Sequence, residues 1–180
     1  MKSETLELLQ MLQKKFGIKG TPSGPFGKII QKLLALSFHE MGCTNIIERG
    51  VQGVDIDITF ESNQKFAFEV KTTKKLAIHI TPDNVQSLLD RTHDGYQPII
   101  AVLRLAPFEN WILAKIPIDE MPTGKIRIEK LRAYRMNYLE NKLNPKFEIV
   151  VRKHFTGVCN RGEQYLKEHL RKVGIAIHDN

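Results

Sequence analysis

The sequence predicts an α/β domain with a central mixed β-sheet flanked by helices, together with an N-terminal helix and a C-terminal α/β extension. Its 180 residues suit one globular core. A content of 42% hydrophobic and 26% charged residues is ordinary for a folded chain. Segments with helical spacing and segments with strand-like alternation of apolar residues also follow one another along the chain. We expect an N-terminal helix and linker over residues 1–22, a core over 23–118 and a basic extension over 119–180.

The net charge of +7 is unevenly distributed. Residues 1–118 hold 14 Lys/Arg against 12 Asp/Glu, an excess of +2, whereas residues 119–180 hold 13 against 8, an excess of +5. A basic excess attracts polyanions, because each phosphate that it neutralises releases a counterion. The charge therefore favours nucleic-acid binding, although charge alone does not separate such a protein from other basic proteins.

The sequence does not indicate a metal–thiolate protein, a disulfide-stabilised protein or a membrane protein. Cys43 and Cys159 are isolated, with no CxxC pair and no histidine pair at i, i+4, so we expect neither a zinc ribbon nor a disulfide framework. No apolar run approaches the ~20 residues that span a bilayer, and the start MKSETLELLQ lacks a signal-peptide core. We expect a cytoplasmic protein with no membrane partner.

Two helices are predicted before the first strand. Leucines at helical spacing predict a helix over residues 3–16 that ends near Gly17. The stretch 17–24 is rich in Gly and Pro and predicts a mobile link. A second, longer helix is predicted from Pro25, where proline suits the first turn, to Gly42.

Strands and further helices follow in alternation. A β-meander is predicted over residues 44–48, 54–60 and 65–71, followed by an extended piece over 76–80. Thr81-Pro82 predicts a helix start, Gly95 its end, and apolar runs predict strands over 98–105 and 111–116. In the extension, the pattern predicts a strand at 125–128, a basic helix at 130–143, a strand at 146–152 and a helix at 163–173.

The second and third strands of the meander carry the chemically informative pattern. In the second, Val54, Ile56, Ile58 and Phe60 are predicted to face one way, and Asp55, Asp57 and Thr59 the other. In the third, Phe66, Phe68 and Val70 oppose Lys65, Ala67, Glu69 and Lys71. In an antiparallel hairpin the apolar sets must share a face, which leaves two registers.

The two registers differ in loop length. With the three-residue loop Glu61-Ser62-Asn63, Asp55 lies opposite Glu69 and Asp57 lies opposite Ala67. With a five-residue loop, Asp57 opposes Glu69 and Asp55 opposes Lys71. We favour the shorter loop, because short hairpin loops are commoner and Asn63 tolerates a left-handed backbone.

Either register brings two carboxylates within reach of one hard cation. Opposed Cβ atoms lie roughly 5 Å apart, and Mg²⁺ needs only one or two protein carboxylates besides water and substrate oxygens. Lys71 shares the face of Glu69, where its amine can orient water or stabilise charge on a phosphate. The alternative is a solvated surface with cross-strand ion pairs, although two opposed acids repel unless a cation lies between them.

The segments GVDIDITF…KFAFEVKTTKK and IHITPDNVQSLLDRTHDGYQPIIAVLRL resemble the PD-(D/E)xK nuclease superfamily, and within it most closely the archaeal Holliday junction resolvases and their restriction-endonuclease-like relatives. The resemblance covers about residues 24–116. It implies a restriction endonuclease-like core in which Asp55 and Glu69 are catalytic metal ligands and Lys71 is the catalytic lysine. It also implies Mg²⁺ as the cofactor, with Mn²⁺ able to substitute.

Auxiliary residues follow from the same resemblance. That group places a glutamate on the first core helix, where this chain has Gln31, while Glu40 lies near the helix end and is expected at the surface. Gln31 is expected to hold a metal-bound water, and Asp57 to lie near the site. Asn84 or Gln86 on the later helix could contact that water or the DNA backbone, or equally face solvent.

Other residues are candidates for DNA contact. Arg49, in the loop before Asp55, and Lys74 and Lys75, just after the motif, are expected to lie along the DNA backbone, or else to be ordinary loop residues and solvated lysines. Tyr134 and Tyr138 lie one predicted helical turn apart beside arginines, but packing explains them better than a nucleophile does.

Together these patterns predict a magnesium-dependent DNA endonuclease acting on duplex or branched DNA, of the resolvase or another repair and recombination type. The alternatives are a small type II restriction-like endonuclease and a non-catalytic DNA-binding protein on the same sheet. A homodimer is expected, because symmetric cutting of two strands needs two sites related by a dyad.

Overall fold

The computed structural model describes residues 1–17, 24–49 and 53–178. The predicted link between the first two helices and part of the loop before Asp55 lie outside the described residues. The helices are α1 (Ser3–Phe16), α2 (Pro25–Glu40), α3 (Pro82–His93), α4 (Ile128–Leu131), α5 (Asn137–Arg161) and α6 (Glu163–Lys172). The strands are β1 (Thr44–Arg49), β2 (Ile56–Phe60), β3 (Gln64–Thr73), β4 (Ala77–Ile80), β5 (Gln97–Arg104), β6 (Trp111–Ala114), β7 (Gly124–Arg127) and β8 (Ala176–His178).

The predicted central mixed sheet is confirmed. Within the described residues it has six strands in the order β6-β5-β3-β2-β1-β8. Strands β1, β2 and β3 form the predicted antiparallel meander, β5 runs parallel to β3, and β6 returns antiparallel beside β5. Strands β4 and β7 form a separate two-stranded antiparallel ribbon.

The β2–β3 hairpin has the register with the short loop. Asp57 pairs with Ala67, and Ile56 pairs with Phe68. The turn Glu61–Asn63 has left-handed backbone at Ser62 (φ 56°) and at Asn63 (φ 60°). The predicted left-handed Asn63 is therefore confirmed, and this register sets the position of the candidate site.

Helices cover one face of the sheet, and α3 with the β4–β7 ribbon covers the other. Helices α1, α2, α5 and α6 share one hydrophobic cluster with Ile56, Ile58 and Phe68. A second cluster joins Ala67 to residues of α3, β4, β5 and β7. The alternative of a solvated face on the hairpin is therefore excluded for β2, because both faces are covered and every residue of β2 is buried.

Val54 is an exception to the predicted sharing of faces. It precedes β2 and packs in the second cluster, away from Ile56 and Ile58. The strict alternation begins only at Ile56, where the strand starts.

The C-terminal third differs most from the prediction. Residues 146–152, predicted as a strand, belong to the long helix α5, because Phe147, Val150, Val151 and Val158 recur at helical spacing and are buried. The predicted basic helix is also interrupted, since Arg135 forms an isolated β-bridge with Ala114. Helix α6 matches its prediction closely.

The elements beyond residue 119 pack on the rest of the molecule. Helix α5 packs against α1, α2 and β6, and helix α6 packs against α2. Strand β8, which had no predicted counterpart, runs parallel to β1 with Ile47 opposite Ala176. None of the helices in the described part of the chain is both long and apolar enough to cross a membrane.

Candidate active site

Asp55 is held by backbone hydrogen bonds at the entrance of β2. Its N–H donates to the carbonyl of Phe68 at 2.9 Å, although Phe68 is paired with Ile56, so Asp55 lies just before the regular pairing of the hairpin. Its carboxylate Oδ2 accepts the N–H of Val70 at 2.7 Å. The side chain is therefore fixed against β3, beside the residues that flank Val70.

Gln31 holds together the two ends of the loop that precedes Asp55. Its side-chain Nε2 donates to the carbonyl of Arg49 at 2.7 Å and to that of Asp55 at 2.9 Å. The N–H of Arg49 also donates to the Asp55 carbonyl at 2.9 Å. The amide nitrogen of Gln31 is thus occupied in positioning Asp55, and its expected part in holding a metal-bound water stays a prediction.

Glu69 and Lys71 lie on β3 and contact each other directly. Lys71 Nζ donates to Glu69 Oε1 at 2.6 Å and to Asn84 Oδ1 at 3.1 Å. Asn84 Oδ1 also accepts the N–H of Thr81, and the Asn84 N–H donates to Thr81 Oγ1, which makes a capping box at the start of α3. Of the two open choices on this helix, Asn84 is the one that reaches the site.

Keeping both carboxylates in their charged forms costs free energy. Burial and the nearby Glu69 carboxylate raise the pKa of Asp55 to about 8, although the Val70 N–H and the Lys71 ammonium oppose this. Burial also raises the pKa of Glu69, against the attraction of Lys71. A bound cation between the two acids would remove this cost.

The donor set fits a hard divalent cation. Asp55 and Glu69 offer only carboxylate oxygens, which Mg²⁺ prefers, and Mg²⁺ ordinarily keeps waters in its remaining positions. Among the described residues, no group of three or more His, Cys, Asp or Glu side chains could hold an ion together. A site with two protein carboxylates, completed by water and substrate oxygens, is what these residues can provide.

Asp57 faces a different environment from Asp55. It is fully buried, and its Oδ2 lies 2.9 Å from both Arg49 Nη2 and Arg91 Nη2. Arg91 also stacks on the ring of Tyr96, at 4.1 Å from the ring centroid. Asp57 and Arg49, which we expected beside the metal and on the DNA, are therefore joined in a buried ion-pair cluster. Sequence reasoning missed Arg91, because its partner lies 34 residues away in the chain.

The remaining candidates lie at the surface. Gln86 is exposed and donates to Asp90 at 2.8 Å, so it is occupied in a pair on the outside of α3. Glu40 pairs with Lys153 at 3.1 Å, as expected of a surface residue. Lys74 and Lys75 are exposed on the connection from β3 to β4, close in sequence to Lys71.

The sheet, its order and the helices around it define the restriction endonuclease-like fold. A solved structure with this fold is Hjc of Archaeoglobus fulgidus, described as a Holliday junction resolvase from an archaeal hyperthermophile. It matches with a TM-score of 0.50 and 20% sequence identity, over 64% of this chain and 95% of Hjc. No protein-family profile and no curated protein sequence matches the chain. At this identity the likeness concerns the fold.

Proposed function

We propose that the protein is a magnesium-dependent DNA endonuclease that hydrolyses phosphodiester bonds in duplex or branched DNA. The observation that carries the proposal is the arrangement of two largely buried acids, Asp55 held on the Val70 N–H and Glu69 in contact with the Lys71 amine. Their raised pKa values agree with a site that binds a cation. The fold shared with a Holliday junction resolvase and the net charge of +7 support DNA as the substrate.

Each residue has a distinct task in this proposal. When bound, Mg²⁺ supplies a water of lowered pKa and neutralises charge on the scissile phosphate. Asp55 and Glu69 are the ligands, and Gln31 and the Val70 N–H keep Asp55 in position. Lys71 is the cation that stabilises the developing phosphate charge, with its amine aimed by Asn84.

Charge and symmetry suggest how the substrate is engaged. Lys74 and Lys75 are exposed beyond Lys71 and suit contacts to the DNA backbone. A homodimer would present two sites related by a dyad, as paired cuts in two strands require. Light scattering coupled to size-exclusion chromatography should then give twice the chain mass of 20.7 kDa.

The decisive experiment compares substrates and cofactors. Plasmid, linear duplex, flap and four-way junction DNA are incubated with the protein in Mg²⁺, in Mn²⁺ or in EDTA. We expect cleavage with either metal, none in EDTA, and a loss of at least about 100-fold in Asp55→Asn, since removing one electrostatic contributor typically costs that much. Asp90→Asn, which changes an exposed acid on α3, is the matched control and should cleave normally.

The outcome also separates the alternatives. A resolvase-like enzyme cuts the junction in preference to linear duplex, whereas a restriction-like enzyme cuts duplex at defined sequences. Gel shifts without cleavage under any metal condition would contradict the proposal and favour a non-catalytic DNA-binding protein.

A further inference from the structure

A cavity of about 610 Å³, whose lining includes neither Asp55 nor Glu69, is formed by strand β7 and the segments on either side of it. Its volume is in the range of roughly 300–1,000 Å³ that ligand pockets occupy. Lys125 and Arg127 contribute from β7, and Lys130 contributes from α4. The ring of Tyr134 and apolar side chains complete the lining.

The electrostatics of the cavity favour an anion. The lining contains three cationic side chains and one carboxylate, that of Glu120. Glu120 accepts a hydrogen bond from the Tyr134 hydroxyl at 2.8 Å. In the part of the chain that the structure describes, Lys125, Arg127 and Lys130 form no ion pair with any carboxylate. Their charges are therefore available to a ligand.

The lining combines these charges with flat and apolar surface. Ile116 and Leu131 are buried beneath the cavity and belong to the second hydrophobic cluster. Tyr134 is partly exposed, and its hydroxyl is held by Glu120, which fixes the ring. Cationic groups beside an aromatic ring are the combination with which proteins bind a nucleotide, with phosphate on the cations and the base on the ring.

The cavity is connected to the candidate active site first along the chain and then across a pair of strands. Strand β3, which carries Glu69 and Lys71, leads through the exposed Lys74 and Lys75 into β4. Strand β4 pairs with β7, with His79 opposite Lys125. Lys74 and Lys75 therefore lie on the segment that joins β3 to the ribbon bordering the cavity.

We infer that this cavity binds one unpaired nucleotide of the DNA substrate. A concave site with an aromatic wall cannot receive a base that is stacked and paired within a duplex, whereas a base in a single-stranded branch can enter it. The inference rests on the proposed function in that it takes DNA as the substrate, and it adds a preference for DNA with a single-stranded portion.

Binding is tested without cleavage, so that the inference does not depend on activity. The full-length protein in EDTA is titrated into a fluorescein-labelled oligothymidylate and, separately, into a blunt duplex hairpin, and anisotropy is followed. We expect Tyr134→Leu to weaken single-strand binding roughly 5- to 100-fold, and Tyr134→Phe to change it little. Lys130→Ala should weaken binding several-fold and lower the slope of log affinity against log salt.

Controls and contrary outcomes are defined by the same titrations. Lys14→Ala removes an exposed lysine on α1 and should leave single-strand binding unchanged. Duplex binding should fall less than single-strand binding in Tyr134→Leu. The inference would be overturned if Tyr134→Leu weakened single-strand and duplex binding equally, or if Lys130→Ala left single-strand binding unchanged. It would also be overturned if Lys14→Ala weakened single-strand binding as much as Lys130→Ala does. Because Lys130 is exposed, its variant keeps the test valid even if Tyr134→Leu does not fold.

Two further measurements separate possible ligands and failures. Thymidine monophosphate is tested as a competitor of the labelled oligothymidylate. If it competes at the same nucleotide concentration as unlabelled oligothymidylate, the cavity is a free-nucleotide site and the DNA assignment is overturned. Cleavage by the unmodified protein in Mg²⁺ is scored independently. Cavity-dependent binding without cleavage contradicts the nuclease proposal alone, and cleavage with cavity-independent binding contradicts this inference alone.

Discussion

Asp55 and Asp57 are two residues apart in the chain and have opposite electrostatic surroundings. Asp57 is compensated by the guanidinium groups of Arg49 and Arg91. Asp55 has another acid, Glu69, as its neighbour, and its pKa is raised to about 8. The charge of one acid is therefore balanced within the fold, while the other is held at a cost in free energy that suits a ligand-binding residue.

The raised pKa of Asp55 predicts how stability depends on pH. In the unfolded chain this carboxyl titrates near 3.9, so between about pH 4 and pH 8 the native state binds more protons than the unfolded state. Stability then falls as pH rises through this window. We expect metal-free Asp55→Asn to melt several degrees above the unmodified protein at pH 8, a difference that shrinks towards pH 4. Thermal unfolding in EDTA at both pH values measures it, and a lower melting temperature for Asp55→Asn at pH 8 would count against the assigned cost.

Asp57→Asn should have the opposite effect on stability. The change leaves Arg49 and Arg91 facing a neutral group in a buried position, and breaking a buried ion pair costs about 3–5 kcal/mol. Because both arginine side chains keep some exposure, 22% and 19%, we expect about 2–4 kcal/mol at neutral pH. Urea unfolding gives the value. An Asp57→Asn protein as stable as the unmodified one would show that the cluster contributes little.

Asn84 is expected to act as a positioning residue for Lys71. Asn84→Ala removes one of the two acceptors of Lys71 Nζ and half of the capping box, so we expect about 1 kcal/mol lower stability. We also expect a reduced cleavage rate with little change in KM. Asn84→Asp keeps an oxygen that can accept from both Lys71 Nζ and the Thr81 N–H, so it should restore most of the cleavage rate. If Asn84→Ala changed stability alone, Asn84 would have only a capping role.

At the scale of elements, Gly157 of α5 lies directly against the Tyr165 ring of α6. A Cβ added there would lie 2.3 Å from Cζ of the Tyr165 ring. Helix propensity alone favours alanine by about 1 kcal/mol, but overpacking costs typically 1–3 kcal/mol. We therefore expect Gly157→Ala to be destabilising. Gly27→Ala on α2 is the matched control, because nothing lies within 4 Å of its added Cβ, and it should be neutral or stabilising. Chemical denaturation gives the free energy of unfolding of both variants. A Gly157→Ala protein as stable as the unmodified one would mean that Tyr165 can move aside.

The success of sequence reasoning varied from element to element for physical reasons. The β2–β3 hairpin was predictable because alternation and a short turn together fix one register. Residues 146–152 were misassigned because a short apolar run with β-branched residues fits a strand or a buried helix equally well.

The arrangement of the candidate site was predictable where local pattern determined it. Asp55, Glu69 and Lys71 come together through one hairpin and its neighbouring residues, so spacing was enough to place them. Arg91 and Asn84 reach the same region from α3, and their positions depend on how that helix packs against β3 and β5. Such long-range packing leaves no periodic signal in the sequence.

At the scale of the whole molecule, the C-terminal third is joined to the core by a shared interior. Val150, Val151, Leu166 and Leu170 belong to the same hydrophobic cluster as the strands of the hairpin. Strand β8 adds a parallel neighbour to β1. Removing these elements would expose the face of α2 that they cover.

We therefore expect one cooperative unfolding transition for the entire chain. Calorimetry should give equal calorimetric and van't Hoff enthalpies, and a chain ending at Arg161 should lose its native near-ultraviolet circular dichroism. Two separated transitions, or a folded truncated chain, would instead show that residues 119–180 are an independent unit.

The three-residue turn Glu61–Asn63 constrains how this protein can evolve. Since side chains alternate along a strand, sliding β2 by one step against β3 would turn Asp57 towards the phenylalanines that pack against α2. Inserted residues are tolerated only if they lengthen the turn and leave the strand pairing unchanged. A library of turn lengths should consequently yield active chains in which Asp57 keeps Ala67 as its partner, whatever the number of residues added.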